Sequence, residues 1–308
     1  AVAENFGRGS RFKTPKVEGV GTGGGLKLFC QGVGPRFIDI ANASRRIKQS
    51  EIDDCTQNGV TGIVEVKIGF DGIVLANSRS APVYALTRQQ VYMALAKQVP
   101  DPKNPRRLIA NPYRTWKDID PALPNIKIEV LGPPPTSGTR DAFVELMLEP
   151  GCEKFPVLKQ MKARDEAGFK RVCTQLREDG AYVEAGENDN LIVQKIEANP
   201  RALGVFGYSF LEENRAKLNG SPIEGHAPTF EEIASGRYPV SRSMYIYVKK
   251  AHVGVIPGIQ EFINEFTSER AVGEEGYLAD KGLIPLPKAD RARVRAAAAK
   301  MEVMKGLN

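Results

Sequence analysis

Histidine and tryptophan are scarce in this chain. Its 308 residues include only two histidines, His226 and His252, and one tryptophan. Neither histidine lies beside a candidate nucleophile, and there is no G-x-S-x-G elbow, so a Ser-His or Cys-His mechanism has little support. Paired carboxylates such as Glu231 and Glu232 are typical of solvated loops and helix starts. The sequence therefore shows no recognisable catalytic base.

Cysteine is also infrequent and is not arranged for metal binding. The four cysteines form no C-x-x-C pair and do not lie near a histidine, which argues against a zinc site. Along the chain they form two local pairs, Cys30 with Cys55 and Cys152 with Cys173, each separated by roughly 20 to 25 residues. This spacing suits two disulfides in an oxidising compartment, and four buried thiols fit the composition equally well.

Long apolar runs are absent as well. The longest ones, such as residues 244–248, are far too short to cross a bilayer. No charged segment followed by an apolar one opens the sequence, so we expect an export signal to be either lacking or removed. Hydrophobic residues make up 42% and charged residues 26%, which is ordinary for a soluble folded protein. The length predicts two lobes or one large α/β domain.

The chain carries a formal charge of +6, with a pI near 9.0. Such a balance favours anionic partners, from nucleic acid to a small anion. The densest basic segment, residues 288–305, has cations on both sides of an alanine run and no interleaved aromatic residues. We interpret it as a solvated amphipathic helix rather than a nucleic-acid contact.

Strand patterns and helix patterns alternate along the chain. We predict strands at residues 16–20, 39–42, 62–70, 72–77, 125–132, 203–208 and 244–249, with a hairpin turn at Asp71 and Gly72. We predict helices at residues 1–6, from 26, from 87, and at 168–177, 190–199, 257–266 and 268–280. Residues 100–124 look like a polar, proline-rich connection. The alternation predicts an α/β architecture with mixed, mainly parallel sheets flanked by helices.

One glycine-rich loop matches G-x-G-x-x-G at residues 19–24. As a dinucleotide fingerprint it is weak, because the preceding strand is short and polar and Asp39 comes early for the ribose contact. It is not a P-loop either, since Lys27 follows Leu26. What remains is a general property: glycines let backbone N–H groups converge on an anion at a helix start, and Thr22 adds a hydroxyl.

A second candidate anion loop follows three consecutive prolines. Thr136 or Ser137 can cap the helix that begins there, and Gly138 removes a side chain that would block an anion. The backbone N–H groups of Thr139 and Arg140 point outward, and the guanidinium of Arg140 can pair with two oxygens at once. A cation in the first turn opposes the helix dipole. This conflict indicates a missing anion.

Several segments together resemble the periplasmic phosphate-binding proteins of phosphate-specific ABC transporters. They are G-T-G-G-G at residues 21–25, D-I-A-N-A-S-R at 39–45 and S-G-T-R at 137–140, with further matches at 238–242, 244–248 and 282–286. The resemblance implies a two-lobed type II periplasmic-binding fold that closes over one phosphate in the interlobe cleft. Residues 1–80 and 246–308 would form lobe one, and residues 81–245 lobe two.

The implied function is high-affinity binding of inorganic phosphate in the periplasm and its delivery to the membrane subunits of an ABC importer. The protein would be a monomer that catalyses no reaction and needs no cofactor, metal or nucleic acid. The alternatives are a receptor for another tetrahedral oxyanion, such as sulfate or molybdate, and an enzyme acting on phosphometabolites or dinucleotides.

The resemblance also assigns ligand residues. The phosphate-binding positions carried over are Thr22, Gly23, Ser44, Ser137, Gly138, Thr139 and Arg140. Some members place the arginine four residues before the serine of S-G-T, where this chain has Pro133, so Arg140 has to serve here. The periplasmic location that the resemblance implies favours disulfides between Cys30 and Cys55 and between Cys152 and Cys173.

Two departures from the family stand out. The chain begins within the family's first helix, so a first-lobe strand and one anion loop would be missing from this sequence. Ser44 stands where many members have an aspartate, which accepts the proton of hydrogen phosphate and repels sulfate. We expect Ser44 still to contact the ligand, with Arg45 adding positive potential. The polar loop at residues 186–190 is a helix cap or a further contact.

Overall fold

The computed structural model describes residues 1–307, which form helices interspersed with strands. In chain order, the elements up to residue 110 are α1 (Val2–Gly9), α2 (Gly21–Phe29), β1 (Ile40–Ala43), α3 (Gln49–Gln57), β2 (Ile63–Ser78), α4 (Arg88–Leu95), β3 (Gln98–Asp101) and β4 (Asn104–Ala110). The next are α5 (Trp116–Ile119), β5 (Val130–Gly132), α6 (Gly138–Phe143), α7 (Glu149–Cys152), α8 (Pro156–Arg164), α9 (Glu166–Thr174), β6 (Tyr182–Glu184) and α10 (Asp189–Ala198). The last are β7 (Leu203–Gly207), α11 (Tyr208–Glu213), β8 (Leu218–Gly220), α12 (Phe230–Ala234), β9 (Ser241–Lys249), α13 (Ile259–Phe266), α14 (Glu269–Val272) and α15 (Lys288–Ala299).

The chain divides into two compact units. Unit one comprises Ala1–Asp71 and Arg242–Asn308, and unit two comprises Gly72–Ser241. The chain passes from unit one to unit two after residue 71 and returns after residue 241, whereas the expected lobe boundaries lie after residues 80 and 245. β2 extends through the first of these points and β9 through the second. The assignment of lobes at 1–80 with 246–308 and at 81–245 stays a prediction.

The hairpin predicted at Asp71 and Gly72 is wrong. β2 is a single strand of 16 residues that runs straight through both positions. A type I′ turn requires positive φ at its two central residues, and neither residue has one. The carboxylate of Asp71 instead lies 3.3 Å from the guanidinium Nε of Arg242, where β9 enters unit one.

The sheet is mixed, as expected for this α/β chain. In unit one, β1 is antiparallel to β9, which neighbours β2. In unit two, β5 lies parallel to both β6 and β7, whereas β7 and β8 are antiparallel to the end of β2. Parallel strand pairs are thus fewer than the alternation predicts, because β9 pairs antiparallel with β1 and β2 pairs antiparallel with β7 and β8.

The region around the first glycine loop differs from expectation. No strand forms at residues 16–20, because Val17 is 65% and Val20 48% exposed and no strand within residues 1–307 pairs with this segment. The helix begins at Gly21 instead of Leu26, so the glycines form its first turn. A dinucleotide-binding loop requires a strand before the glycines, and this structure does not supply it.

The core of unit one is built on the amphipathic helix α13. Its buried residues are Ile259, Phe262, Ile263 and Phe266, which follow the i, i+3, i+4, i+7 spacing of one helical face. Phe6 of α1 packs edge-on against Phe262, with ring centroids 5.4 Å apart. The helix predicted at residues 1–6 thus forms and closes this core, and α15 forms within the predicted segment 288–305 but ends at Ala299.

Two disulfides link neighbouring helices. Cys30, after α2, bonds to Cys55 of α3, and Cys152 of α7 bonds to Cys173 of α9. All four residues are buried. The pairing implied by the resemblance is confirmed. Among the described helices, none has the length and apolar character needed to cross a membrane.

The connection expected at residues 100–124 contains two strands and a helix that were not predicted from the sequence. β3 and β4 form an antiparallel two-stranded sheet, in which Val99 lies opposite Ile109. α5 follows, with Thr115 as its cap and Trp116 fully buried. Prolines at both strands of this hairpin masked its alternation, because proline is usually excluded from strand interiors.

A buried lysine fixes the loop that follows α2. Lys249, at the end of β9, has no exposed surface, and its ammonium donates to the carbonyl oxygens of Gly32 and Ile38. The rings of Phe29 and Phe37 lie 5.0 and 5.8 Å from its Nζ. Burial lowers the pKa of Lys249 to about 8, and the nearby carboxylate of Asp39 offsets only part of this effect.

This lysine should make stability depend on alkaline pH. An unfolded lysine has a pKa of about 10.4, so between pH 8 and 10.4 the unfolded state binds more protons than the folded one. The free energy of unfolding should therefore rise through this window, by at most about 1.4 kcal/mol per pH unit. Denaturant titrations from pH 7 to 10.5 give the free energy of unfolding of wild type and of Lys249→Met. The wild-type value minus the Lys249→Met value should increase as the pH rises above 8. A constant difference would show that Lys249 keeps an ordinary pKa in the folded protein.

Candidate anion-binding site

The start of α2 presents unpaired backbone donors. Its N-cap residue, Val20, offers no side-chain acceptor, and the first turn contains no acidic residue. The N–H groups of Gly21, Thr22 and Gly23 therefore have neither an intrahelical partner nor a capping side chain. Together with the helix dipole, they give this end of α2 a partial positive charge that suits an anion.

Ser44 lies against the first turn of α2. Its backbone N–H donates to the hydroxyl Oγ1 of Thr22 at 3.0 Å, and the two hydroxyl oxygens are also 3.0 Å apart. β1 ends at Ala43, and this places Ser44 beside the first turn of α2. The structure thus brings together Thr22, Gly23 and Ser44, the site residues predicted in unit one.

Arg45 does not contribute the free positive charge that was expected beside Ser44. Its two terminal nitrogens donate to the carboxylate of Glu51 at 3.0 and 2.8 Å. This hydrogen bond raises the pKa of Arg45. Burial alone would raise the pKa of Glu51, but hydrogen bonds from Arg45 and from the Lys48 amide lower it overall. The charge of Arg45 is therefore balanced by an ionised neighbour.

In unit two, Ser137 is the residue that caps α6. Its Oγ accepts the N–H of Thr139 at 3.2 Å, and its own N–H donates to the carbonyl of Pro134. Thr136, the other candidate cap, donates its hydroxyl to Glu187. A side chain at Gly138 would meet no atom within 4 Å, so packing within the chain does not require glycine there. The open space in front of Gly138 allows an anion to approach the helix end.

Arg140 is held against the body of unit two. Its side chain is only 13% exposed, and Nη1 donates to the carbonyl of Pro133 at 3.1 Å. Its guanidinium carbon lies 4.9 Å from the ring centre of Tyr182, and Nη1 is 3.8 Å from the carboxylate of Glu184. Within residues 1–307 these contacts occupy Nη1, so the N–H groups of Nε and Nη2 are available to a ligand.

Tyr182 and Glu184 are neighbours of the site that the sequence reading did not identify. They belong to β6, whose parallel pairing with β5 places Glu184 opposite Gly132, just before the proline loop. A single sequence gives no signal for a contact over about 40 residues. At the 186–190 loop, the side chain of Asn188 accepts the N–H of Asn190 and caps α10.

Comparison with known proteins identifies the family. A family model described as a PBP superfamily domain matches residues 1–270. The chain belongs to this superfamily of periplasmic-binding proteins. Its members are substrate-binding receptors, and the expected α/β periplasmic-binding fold is confirmed.

Individual relatives cover most of the chain. Protein SphX from Synechococcus elongatus is 29% identical over 299 residues, covering 93% of this chain and 73% of the relative. The phosphate-binding protein PstS from Staphylococcus saprophyticus is 27% identical over 293 residues, covering 93% and 76%. A crystal structure of a possible phosphate binding protein from Planctomyces limnophilus is similar with a TM-score of 0.74 and 26% identity, covering 98% of this chain and 93% of that one.

Proposed function

We propose that this protein binds inorganic phosphate outside the cytoplasm and delivers it to an ABC importer. The observation that carries the proposal is the position of Arg140. A guanidinium on a side chain that is 13% exposed stands in the first turn of α6, where the helix dipole disfavours a cation. Among the described residues, its hydrogen bond uses Nη1 and leaves the Nε and Nη2 donors for a ligand. A bound phosphate would offset the repulsion between the guanidinium and the positive end of α6, because its negative charge attracts both of them.

The family supports the choice of ligand. The relative from Staphylococcus saprophyticus is a phosphate-binding protein, and the Planctomyces limnophilus structure is of a possible one. The ligand donors that we propose are Thr22, Gly23 and Ser44 in unit one and Ser137, Gly138, Thr139 and Arg140 in unit two. Both groups consist of helix-start N–H groups and hydroxyls, which match the oxygens of a tetrahedral anion.

The proposed role is transport rather than catalysis. The protein would act as a periplasmic monomer whose partners are phosphate and the membrane subunits of the importer. The two buried disulfides support an oxidising compartment. The glycine loop gives no support to a dinucleotide enzyme, because no strand precedes it.

Calorimetry with phosphate, sulfate, molybdate and NAD tests the proposal. We expect phosphate to bind with one site per chain, and the other three ligands to bind much more weakly or not at all. Tighter binding of sulfate or molybdate would identify the protein as a receptor for another oxyanion. NAD binding would overturn the transport role.

Replacing Ser44 by alanine should weaken phosphate binding at least about tenfold, because one hydrogen bond to a charged ligand contributes about 1.5–3 kcal/mol. Thr22 would also lose its hydroxyl neighbour at 3.0 Å. Isothermal titration with phosphate and sulfate measures both affinity and selectivity. Ser235→Ala, at the exposed end of α12, is the control. Unchanged affinity and selectivity in Ser44→Ala would remove Ser44 from the site.

A further inference from the structure

The guanidinium of Arg140 has to be held in place to serve as an anion fork. The side chain is long, and the positive end of α6 repels it. Its ionic neighbour, Glu184, is 3.8 Å from Nη1 and 54% exposed, so solvent screens this attraction. The remaining contacts, with Tyr182 and the Pro133 carbonyl, are the more rigid ones.

We propose that Tyr182 is a positioning residue, which orients Arg140 so that its Nε and Nη2 donors are presented to a phosphate. The inference rests on the proposed function and goes further, because it assigns a role to a residue that contacts the arginine rather than the ligand.

The guanidinium contacts the ring of Tyr182 and a carbonyl oxygen that Tyr182 also binds. The aromatic ring lies beneath it, 4.9 Å from the guanidinium carbon, where the negative face of the ring attracts the cation. The phenol O–H donates to the carbonyl of Pro133 at 2.7 Å, and Nη1 of Arg140 donates to the same oxygen at 3.1 Å. Ring and carbonyl together hold the Nη1 end of the fork and leave the opposite edge free.

The environment of Tyr182 keeps its hydroxyl a donor. The residue is 6% exposed. Burial raises the pKa of Tyr182 to about 12, although the charge of Arg140 lowers it in part. The phenol is therefore protonated at any pH at which phosphate transport is measured.

Gly132 leaves the space that the phenol occupies. A Cβ at this position would lie 2.3 Å from the hydroxyl oxygen of Tyr182, closer than any non-bonded contact allows. Gly132 has no positive φ, so space rather than backbone conformation explains the glycine. Gly132→Ala is therefore a second way to displace the ring while Tyr182 and Arg140 both remain.

Calorimetric titration with inorganic phosphate tests the proposal. We expect about tenfold weaker binding for Tyr182→Leu and Gly132→Ala, and about threefold for Tyr182→Phe, which keeps the ring but loses the hydrogen bond. In an Arg140→Ala background, Tyr182→Leu should change the affinity less than twofold. Equal losses in both backgrounds, or wild-type affinity in Tyr182→Leu, would overturn the positioning role.

A matched control separates positioning from general destabilisation. Tyr92 of α4 is also buried, and its hydroxyl likewise donates to a backbone carbonyl at 2.7 Å, that of Gln98. Tyr92→Leu should lower stability and leave phosphate affinity unchanged. The Nε–H resonance of Arg140, shifted by the ring current in wild type, should move in Tyr182→Leu and Gly132→Ala but not in Tyr92→Leu.

The two proposals fail in different ways. Absence of phosphate binding by the wild-type protein would overturn the proposed function together with this inference. Phosphate binding that is weakened by Arg140→Ala but not by Tyr182→Leu or Gly132→Ala would leave the function intact and remove the positioning role alone. An Arg140 Nε–H resonance that keeps its wild-type position in both Tyr182→Leu and Gly132→Ala would do likewise.

Discussion

Replacing Arg140 by alanine is expected to weaken phosphate binding about 100-fold. Hydrogen bonds from a charged donor contribute about 1.5–3 kcal/mol, and a bidentate guanidinium lies at the upper end of this range. The side chain is 13% exposed, so water compensates little for its loss. Arg140→Lys should weaken phosphate binding by an intermediate factor of about ten, because lysine keeps the charge but lacks the planar guanidinium.

Arg215 provides the matched control for this experiment. It is another arginine of unit two that lies over a tyrosine ring, 5.9 Å from the centre of Tyr208. Arg215→Ala removes the same charge at a position that we do not assign to the ligand, and should leave the dissociation constant within about twofold of wild type. If both alanine variants weakened binding equally at low salt and neither weakened it at high salt, Arg140 would act only through net charge. Wild-type affinity in Arg140→Ala would eliminate it as a ligand residue.

Removal of the Cys152–Cys173 disulfide should strongly lower the stability of unit two. The bridge closes a loop of 21 residues between α7 and α9, and restricting the unfolded chain in this way contributes about 3 kcal/mol. Both cysteines are fully buried, so a Cys152→Ala/Cys173→Ala variant also loses packing. We expect a lower denaturation midpoint, with phosphate affinity retained once the variant is folded.

The single tryptophan reports on this unit. Trp116 is fully buried in α5, so its emission should change when unit two unfolds. The titration should be done in a buffer without phosphate, because a bound ligand adds its own stabilisation. Cys30→Ala/Cys55→Ala, which removes the bridge in unit one, is the comparison variant. A Trp116 transition that loses less than about 1 kcal/mol in the Cys152→Ala/Cys173→Ala variant would contradict the expected contribution of that bridge.

Local patterns were sufficient to predict much of the fold. The apolar face that follows Thr87 predicted α4, and the pattern at residues 257–266 predicted α13. The prediction failed where tertiary pairing overrides local preference. Asp71 and Gly72 have turn chemistry, but β2 continues through them because its two halves pair with different strands.

In the site, too, some residues were predictable from local sequence patterns and others were not. Ser137 and Arg140 are readable from the sequence, because capping and helix electrostatics act within one turn. Ser44 was assigned to the same site as Thr22 only through resemblance to a family, and their direct contact was not predicted. Tyr182 was not predicted, since its contact with Arg140 exists only when β6 pairs with β5. The charge of Glu51 opposite Arg45 was missed for a similar reason, because its role depends on how α3 packs.

The three prolines before α6 have a consequence for the thermodynamics of binding. Proline fixes φ, so Pro133, Pro134 and Pro135 have few conformations to lose when a ligand arrives. The carbonyls of Pro133 and Pro134 are already engaged by Arg140, Tyr182 and Ser137. Little conformational entropy remains to be lost in this loop, and more of the interaction energy of the loop can appear as affinity for the anion.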